Sequence, residues 1–337
     1  MKDLKRYKIL KKIGEGGTSE VYAAFDKRTG KKVTVKVLKE SGKGFFKERA
    51  SMENEALMLK SLKHSGVQKL IDYGEGFMVL QYISGSSISE KLRMNGVFSE
   101  KETVEIAIEL IRILKYLHGL KEPVIYRDLK PANIIIGRDG KVYLIDFGAA
   151  RIYRKGEKSD TSYLGTVGFA APEQYGTLGQ TSPKTDIYCF GMTLLQMTTG
   201  IDIKNEAALE NFKLNGATGL SEEFAKIINK CIKPGRDDRF RSCSEIEKAL
   251  LDSIVKRKRG IVVRYMKRSL VAAALSAMVS MAIMYAEPVK NYVESDARER
   301  VPAFKGRLYN AKERIAEFID KEFFQEHSCN SEITPIE

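Results

Sequence analysis

The chain of 337 residues has no tryptophan, three histidines, four cysteines and eight prolines. So few histidines leave little room for a His-based metal centre. Cys189, Cys231, Cys243 and Cys329 show no C-x-x-C spacing and are too sparse for a disulfide scaffold or a Cys-rich zinc module. Met1–Lys12 is charged throughout and holds no apolar core, so no secretory signal peptide is expected. Internal repeats and low-complexity segments are also missing. What is present is a mixture of 43% apolar residues with 57 Lys plus Arg against 44 Asp plus Glu, a formal charge of +13. The apolar share excludes bulk disorder, and the length suits one large or two ordinary domains. The basic excess suits nucleic acid, an anionic membrane surface or phosphate ligands, and its location has to choose among them.

Composition breaks near residue 256. Lys256, Arg257, Lys258 and Arg259, then Arg264, Lys267 and Arg268, form a basic stretch over 253–268. Ser269 to Ala286 follows as an uncharged 18-residue run, which Glu287 and Pro288 are expected to close. As a helix it would measure about 27 Å, close to a bilayer core. A basic flank on its N-terminal side predicts a single-pass plasma-membrane protein with its N-terminal part cytoplasmic. The same cations could meet anionic lipid headgroups. The competing reading is a buried or interfacial helix. Residues 287–337 carry 8 basic and 11 acidic side chains and form the expected extracytoplasmic tail. Within it, 298–326 reads as a helix with Val301, Phe304, Leu308, Ile315, Phe318, Ile319 and Phe323 apolar. It could form a homodimer or bind an extracytoplasmic partner, and Cys329 could make an intermolecular disulfide or stay a free thiol. With the basic excess beside an apolar run and no nucleic-acid module, no nucleic-acid partner is expected.

The first part of the chain reads as strands with one helix. Tyr7–Gly14, Ser19–Phe25, Lys32–Leu38, Val67–Tyr73 and Phe77–Tyr82 are strand-like, and Phe45–Leu62 has helical periodicity. Beyond Gly85 the pattern is mostly helical. Ser99 and Glu102 make a capping box that opens a helix with Val104, Ala107, Ile108, Ile111, Leu114 and Leu117 on one face. Ser242 and Glu245 make a second box before the basic stretch. Strands first and helices later predict an α+β chain with two lobes.

Four segments carry chemistry. Gly14-Glu15-Gly16-Gly17-Thr18-Ser19-Glu20-Val21 joins two strands, and its glycines would let backbone N–H groups approach a phosphate. A hairpin needs glycine in any case, and a strand rather than a helix follows, which argues against a Rossmann site. Lys36 sits inside the apolar strand Val33-Thr34-Val35. A carboxylate on the next helix, Glu55 or its competitor Glu53, could hold it toward a phosphate. In Tyr126-Arg127-Asp128-Leu129-Lys130-Pro131-Ala132-Asn133, Asp128 could accept a hydroxyl proton, Lys130 could face a transferring phosphoryl group and Asn133 could ligate Mg²⁺. Asp146, at the end of an apolar strand in Asp146-Phe147-Gly148, is a second metal-ligand candidate.

Taken in this order, the segments resemble the eukaryotic-type (Hanks-type) serine/threonine protein kinases, in the single-pass membrane form found in bacteria. The resemblance covers residues 7–252 and implies a bilobal protein-kinase fold, with a β-rich N-lobe over 7–83 and a helical C-lobe over 84–252. It implies ATP with Mg²⁺, for which Mn²⁺ could stand in, and protein Ser/Thr hydroxyls as substrates. Protein kinases are an established template for phosphoryl transfer, and the roles below apply it. Ile13, Gly14, Glu15, Gly16, Gly17, Thr18, Ser19 and Val21 would form the lid over the nucleotide. Lys36, paired with Glu55, would contact the α- and β-phosphates. Leu80 resembles the gatekeeper, with the Gln81 and Ile83 backbone bonding adenine. Asp128 would take the substrate proton, Lys130 would steady the γ-phosphate, and Asn133 and Asp146 would hold the metal. Glu173 of Ala171-Pro172-Glu173 would pair with Arg239, and Asp186 would brace the catalytic loop. Lys130-Pro131 is the Ser/Thr-type loop.

Three positions depart from the family. Tyr126 stands where histidine is usual and should still anchor the loop near Phe147. Thr34 replaces a common alanine above the adenine and narrows the pocket. Ser19 replaces the third glycine and stiffens the lid. Arg127 implies activation through a phosphate on the segment between Asp146 and Glu173, placed there by autophosphorylation. Ser159, Thr161, Ser162, Tyr163 and Thr166 are available; Thr161 and Ser162 are preferred, while Thr166 is expected against Asp128. The rival functions are a nucleotide-binding, non-catalytic signalling scaffold and a small-molecule phosphotransferase. The Gly-rich loop and the Ala-Pro-Glu ending argue against the latter.

Overall fold

In the computed structural model, residues 3–39, 45–154, 165–175, 180–203, 219–296 and 301–324 are described. The chain divides into two units, Met1–Arg257 and Lys258–Glu337.

The first unit begins with β1 (Tyr7–Glu15), β2 (Ser19–Asp26) and β3 (Lys31–Leu38), then α1 (Phe45–Ser61), β4 (Leu70–Gly74) and β5 (Phe77–Gln81). These strands make one five-stranded antiparallel sheet in the order β1-β2-β3-β5-β4. In β3, Val33 and Val35 turn into the core with Ala24, Phe77 and Val79. Period-two alternation then sends Thr34 and Lys36 to the opposite face of the sheet. Register places Lys36 beside Val21 of β2 and Met78 of β5. β4 starts three residues later than the apolar run beginning at Val67, because Val67 makes an isolated bridge to Leu144 instead.

After β6 (Gly85–Ser87) come α2 (Ile88–Asn95) and α3 (Glu100–His118). The Ser99–Glu102 box caps α3 reciprocally. All six residues of the expected apolar face are buried, and so are Ile106, Leu110 and Ile113, because α3 is enclosed by the main core rather than laid on its surface. Each such aliphatic side chain contributes about 1.5–3 kcal/mol when fully buried. β7 (Val124–Ile125) pairs with β10 (Arg151–Ile152), and β8 (Ile134–Gly137) lies between β6 and β9 (Val142–Leu144). The loops before β8 and after β9 carry Asp128 and Asp146. The unit continues with α4 (Pro183–Thr199), α5 (Glu222–Cys231) and the start of α6 (Cys243–Asp296).

At α6 the expected box is only half formed. Ser242 Oγ accepts from Glu245 N, while the Glu245 carboxylate reaches Arg241 N, one residue earlier than the reciprocal partner. Glu287 and Pro288 end the apolar run without ending the helix, which continues to Asp296. A proline costs a helix one N–H bond and can be passed as a kink.

The second unit comprises the rest of α6 and α7 (Val301–Phe324). Arg268–Ala286 within α6 is long and apolar enough to cross a membrane, and no part of it is buried. Cys329 lies outside the described residues.

Candidate active site

A cleft of about 530 Å³ in the first unit is lined from above by the β1–β2 turn and β3, and from below by residues around β8 and β9. Ile13, Val21, Thr34 and Leu80 form its apolar end, and Ile83 and Ile135 close it. Thr34 is 6% exposed and faces this space with its methyl and hydroxyl, so the narrowing expected of it falls on the cleft. Gly14, Glu15, Gly16 and Ser19 line the roof, whereas Gly17 and Thr18 are exposed at the tip of the turn. Nothing lies within 4 Å of a Cβ built on Gly17. Ser19 opens β2 as a buried strand residue whose carbonyl accepts from Gly16 N at 2.8 Å. The Glu15 carboxylate is tied to Lys12 and Lys39.

Lys36 Nζ donates to both Glu55 oxygens, at 2.9 and 3.1 Å, and to Asp146 Oδ1 at 2.9 Å. Residues two apart on a helix point to nearly opposite sides, so only one of Glu53 and Glu55 can face the strand. Glu55 is buried and also accepts from Phe147 N; Glu53 is exposed and lines a separate hollow with Arg49 and Glu75. Burial alone would lower the Lys36 pKa, but the two carboxylates outweigh it and hold the ammonium well above its ordinary value. Burial raises Glu55. Asp146 is held below the usual carboxylate range because Lys36 overcomes the effect of burial.

The catalytic-type loop is drawn together by hydrogen bonds. Asn133 Nδ2 donates to the Asp128 carbonyl and to Asp128 Oδ2, each at 2.9 Å. Lys130 Nζ lies 2.8 Å from Asp128 Oδ2 and 2.6 Å from Thr166 Oγ1, which donates to Asp128 Oδ1 at 2.7 Å. Thr166 therefore closes a three-residue ring with Asp128 and Lys130. Two non-glycine residues here have left-handed backbones, Arg127 (φ 74°) and Asp146 (φ 61°). Each costs about 1–3 kcal/mol and persists only where the surroundings compensate. Asp186, fully buried on α4, compensates at Arg127: its carboxylate accepts from Tyr126 N at 2.9 Å and Arg127 N at 2.7 Å. Tyr126 packs edge-on against Phe147, with centroids 5.1 Å apart, and its hydroxyl donates to the Ile145 carbonyl, next to Asp146. Burial pushes that phenol well above its ordinary pKa.

Farther from the cleft, Arg239 makes a two-pronged pair with Glu173 at 2.8 and 2.9 Å. Gln81 and Ile83 sit at the junction of the sheet with the helical part. The Gln81 carbonyl already accepts from Gln68 Nε2 at 2.9 Å, a partner the sequence pattern did not reveal. Gln174 was missed as well. Its Nε2 donates to the Arg127 carbonyl and its Oε1 accepts from Ala171 N, each at 2.9 Å. Its only sequence signal is that it follows Glu173. Ser159, Thr161, Ser162 and Tyr163 lie outside the described residues.

A protein kinase domain model matches residues 7–253. The chain belongs to the protein kinase family. Within this family it is similar to serine/threonine-protein kinase PknA of Nostoc sp., at 30% identity over 275 residues, 74% of this chain and 48% of that protein. Serine/threonine-protein kinase PrkC of Bacillus subtilis is 31% identical over 210 residues, 60% of this chain and 32% of that one. A probable LRR receptor-like serine/threonine-protein kinase of Arabidopsis thaliana is 34% identical over 248 residues, 65% of this chain and 24% of that one. The chain spans about half the length, or less, of these curated relatives.

Proposed function

We propose that the protein is a serine/threonine protein kinase that moves the γ-phosphate of ATP to protein Ser and Thr hydroxyls, anchored in a membrane through Arg268–Ala286. One observation carries this reading: Lys36, Asn133 and Asp146 line a single cleft with an apolar end, and Asn133 ties Asp128 and, through it, Lys130 to that cleft.

The side chains fit ATP and a divalent cation. Asp146 offers a half-exposed carboxylate toward the cleft. The Asn133 nitrogen is spent on Asp128, which leaves the amide oxygen as the ligating atom. Among the described residues no group of three His, Cys, Asp or Glu side chains forms a metal cage. A cation here would draw the rest of its shell from phosphate and water, as Mg²⁺ commonly does. When bound, it supplies neutralisation of charge on the phosphate oxygens. The chain's own residues do the remainder. Lys36, held extended by Glu55, orients the α- and β-phosphates. Asp128 positions the acceptor hydroxyl and takes its proton. Lys130 offsets charge on the transferring group, and Thr166 holds Asp128 and Lys130 in register.

The test is label transfer from γ-labelled ATP to a generic basic protein, with Asp128→Asn as control. Transfer by the wild type that the variant loses is the expected result; nucleotide binding without transfer would favour the scaffold reading. Membrane anchoring predicts that the chain stays with membranes after alkaline carbonate washing and that deleting 269–286 releases it. Autophosphorylation predicts phosphopeptides from 155–166 after incubation with ATP.

A further inference from the structure

α3 turns Arg112, Lys115 and His118, spaced three apart and so on one stripe, toward the first turns of α6. Arg112 Nε and Lys115 Nζ each donate to the Glu247 carboxylate at 2.9 Å. His118 lies deeper, its side chain 10% exposed, between two partners on different helices. Nε2 donates to Asp186 Oδ2 at 2.7 Å, and Nδ1 lies 3.3 Å from Cys243 Sγ, the first residue of α6. Asp186 is the residue that grips the Tyr126 and Arg127 amides. A continuous path of contacts thus runs from the first turn of α6 through Cys243, His118 and Asp186 to the peptide that precedes Asp128. Neither Cys243 nor His118 lines the nucleotide cleft.

We propose that Cys243 and His118 are positioning residues that couple the first turn of α6 to the catalytic loop. The imidazole has a partner on each nitrogen, and in its doubly protonated form Nε2–H donates to Asp186 and Nδ1–H to the Cys243 sulfur. Its charge offsets the buried Asp186 carboxylate and holds that carboxylate against the Arg127 amide, whose left-handed backbone needs the hold. The groups that touch the ring are Asp186 on α4 and Cys243 on α6; Lys115 of α3 and Glu247 of α6 pair with each other one turn away, and Cys231 on α5 lies near Cys243. Burial pushes the ring's pKa down, but Asp186 and Cys243 outweigh it and bring it up to about 10. For a raised histidine, the charged ring's contribution is complete below the ordinary 6.5 and fades as pH rises through about 10, so the coupling is intact at neutral pH. Without the sulfur, Nδ1–H becomes a buried donor with no acceptor, or the ring sheds that proton; either change loosens Asp186 and the loop.

The catalytic part of this inference rests on the kinase reading; the coupling itself is measured without it. The experiment uses the full chain in detergent micelles with ¹⁵N-labelled histidine and arginine. The chain has only three histidines, so ring signals are assignable by substitution. In Cys243→Ala, the His118 ring titration should move down toward 6.5. The Arg127 amide resonance should shift, and kcat should fall about fivefold with KM for ATP changed by less than about twofold. Cys243→Ser, which keeps an acceptor, should restore all three. An unchanged ring titration or an unchanged Arg127 resonance in Cys243→Ala overturns the proposal. If the wild type transfers no phosphate, the functional reading fails by itself, and the ring titration and Arg127 resonance still decide the coupling. Should Cys243→Ala not fold, Cys243→Val, which fills the space without a hydrogen-bonding group, is read instead, with the same two shifts expected and no shift overturning the proposal.

Discussion

Two buried ion-pair centres in the first unit are built from similar parts and behave differently. Arg239 and Glu173 pair one to one with side chains 0% and 4% exposed, and the remaining guanidinium donors go to the Lys233, Pro234 and Lys184 carbonyls. At Lys36, one cation faces two carboxylates, and Asp146 is 47% exposed. The first centre is neutral, closed and fully satisfied. The second has an excess negative charge and an open side, so a cation or a phosphate can enter and take over partners. Matching charge and hydrogen-bond count locks the fold, and a mismatch beside a cleft leaves a site that can exchange ligands.

The comparison breaks most sharply under substitution in the open centre and its neighbouring loop. Asp128→Asn should lower phosphotransfer by about 100-fold or more with the melting temperature nearly unchanged, as loss of a positioned proton acceptor does. Lys36→Met should also cost about 100-fold or more in kcat with little loss of stability. If either unfolds the protein, the open centre is structural and the contrast fails.

At the closed centre the order reverses. Arg239→Ala leaves a buried carboxylate unpaired and should destabilise the first unit by about 3–5 kcal/mol, read by denaturant titration of the full chain. Equal activity per folded molecule is expected.

Acid should separate the two centres more gently. Glu173 is held below its ordinary value because Arg239 overcomes the effect of burial, so its stabilising contribution is present above about 4.5 and is lost as pH falls through the lowered pKa. Glu55 is raised by burial, so its sign is opposite: the folded state is favoured most below 4.5 and less as pH rises through the raised value. Glu173→Gln should therefore flatten the acid limb of a stability–pH curve, and Glu55→Gln should flatten the limb above it. The smallest effect is expected at Glu53. Glu53→Ala should change stability by less than about 0.5 kcal/mol and leave activity intact, while Glu55→Ala does not. Similar outcomes for the two would undo the assignment of Lys36's partner.

Much of this was legible before any fold was built. The spacing of Asp128, Lys130 and Asn133, with Asp146 beyond, announces the chemistry because each residue type has few other uses in that pattern. Ser99 and Glu102 announce the start of α3 because capping is a local interaction. Other features were not legible. The capping box at Ser87 and Glu90 gives little signal because the helix it opens is only 8 residues long and its apolar face is short. Glu287 and Pro288 close the apolar run, but nothing in the local pattern says that the helix continues through them to Asp296. Gln68, Gln174 and His118 carry no motif, since a buried amide or imidazole gains its role only from partners brought from elsewhere in the chain.

By itself, the sequence determined which groups could handle phosphate and metal, where α1 and α3 begin, and where a stretch long and apolar enough for a bilayer lies. These follow from side-chain chemistry and from periodicities that act over a few residues. Only the tertiary structure decided that Glu55 rather than Glu53 meets Lys36, that Asp186 holds Arg127 in a left-handed turn, and that Cys243 lies against His118. Those choices depend on distances between residues far apart in the chain, and packing, not local pattern, sets such distances.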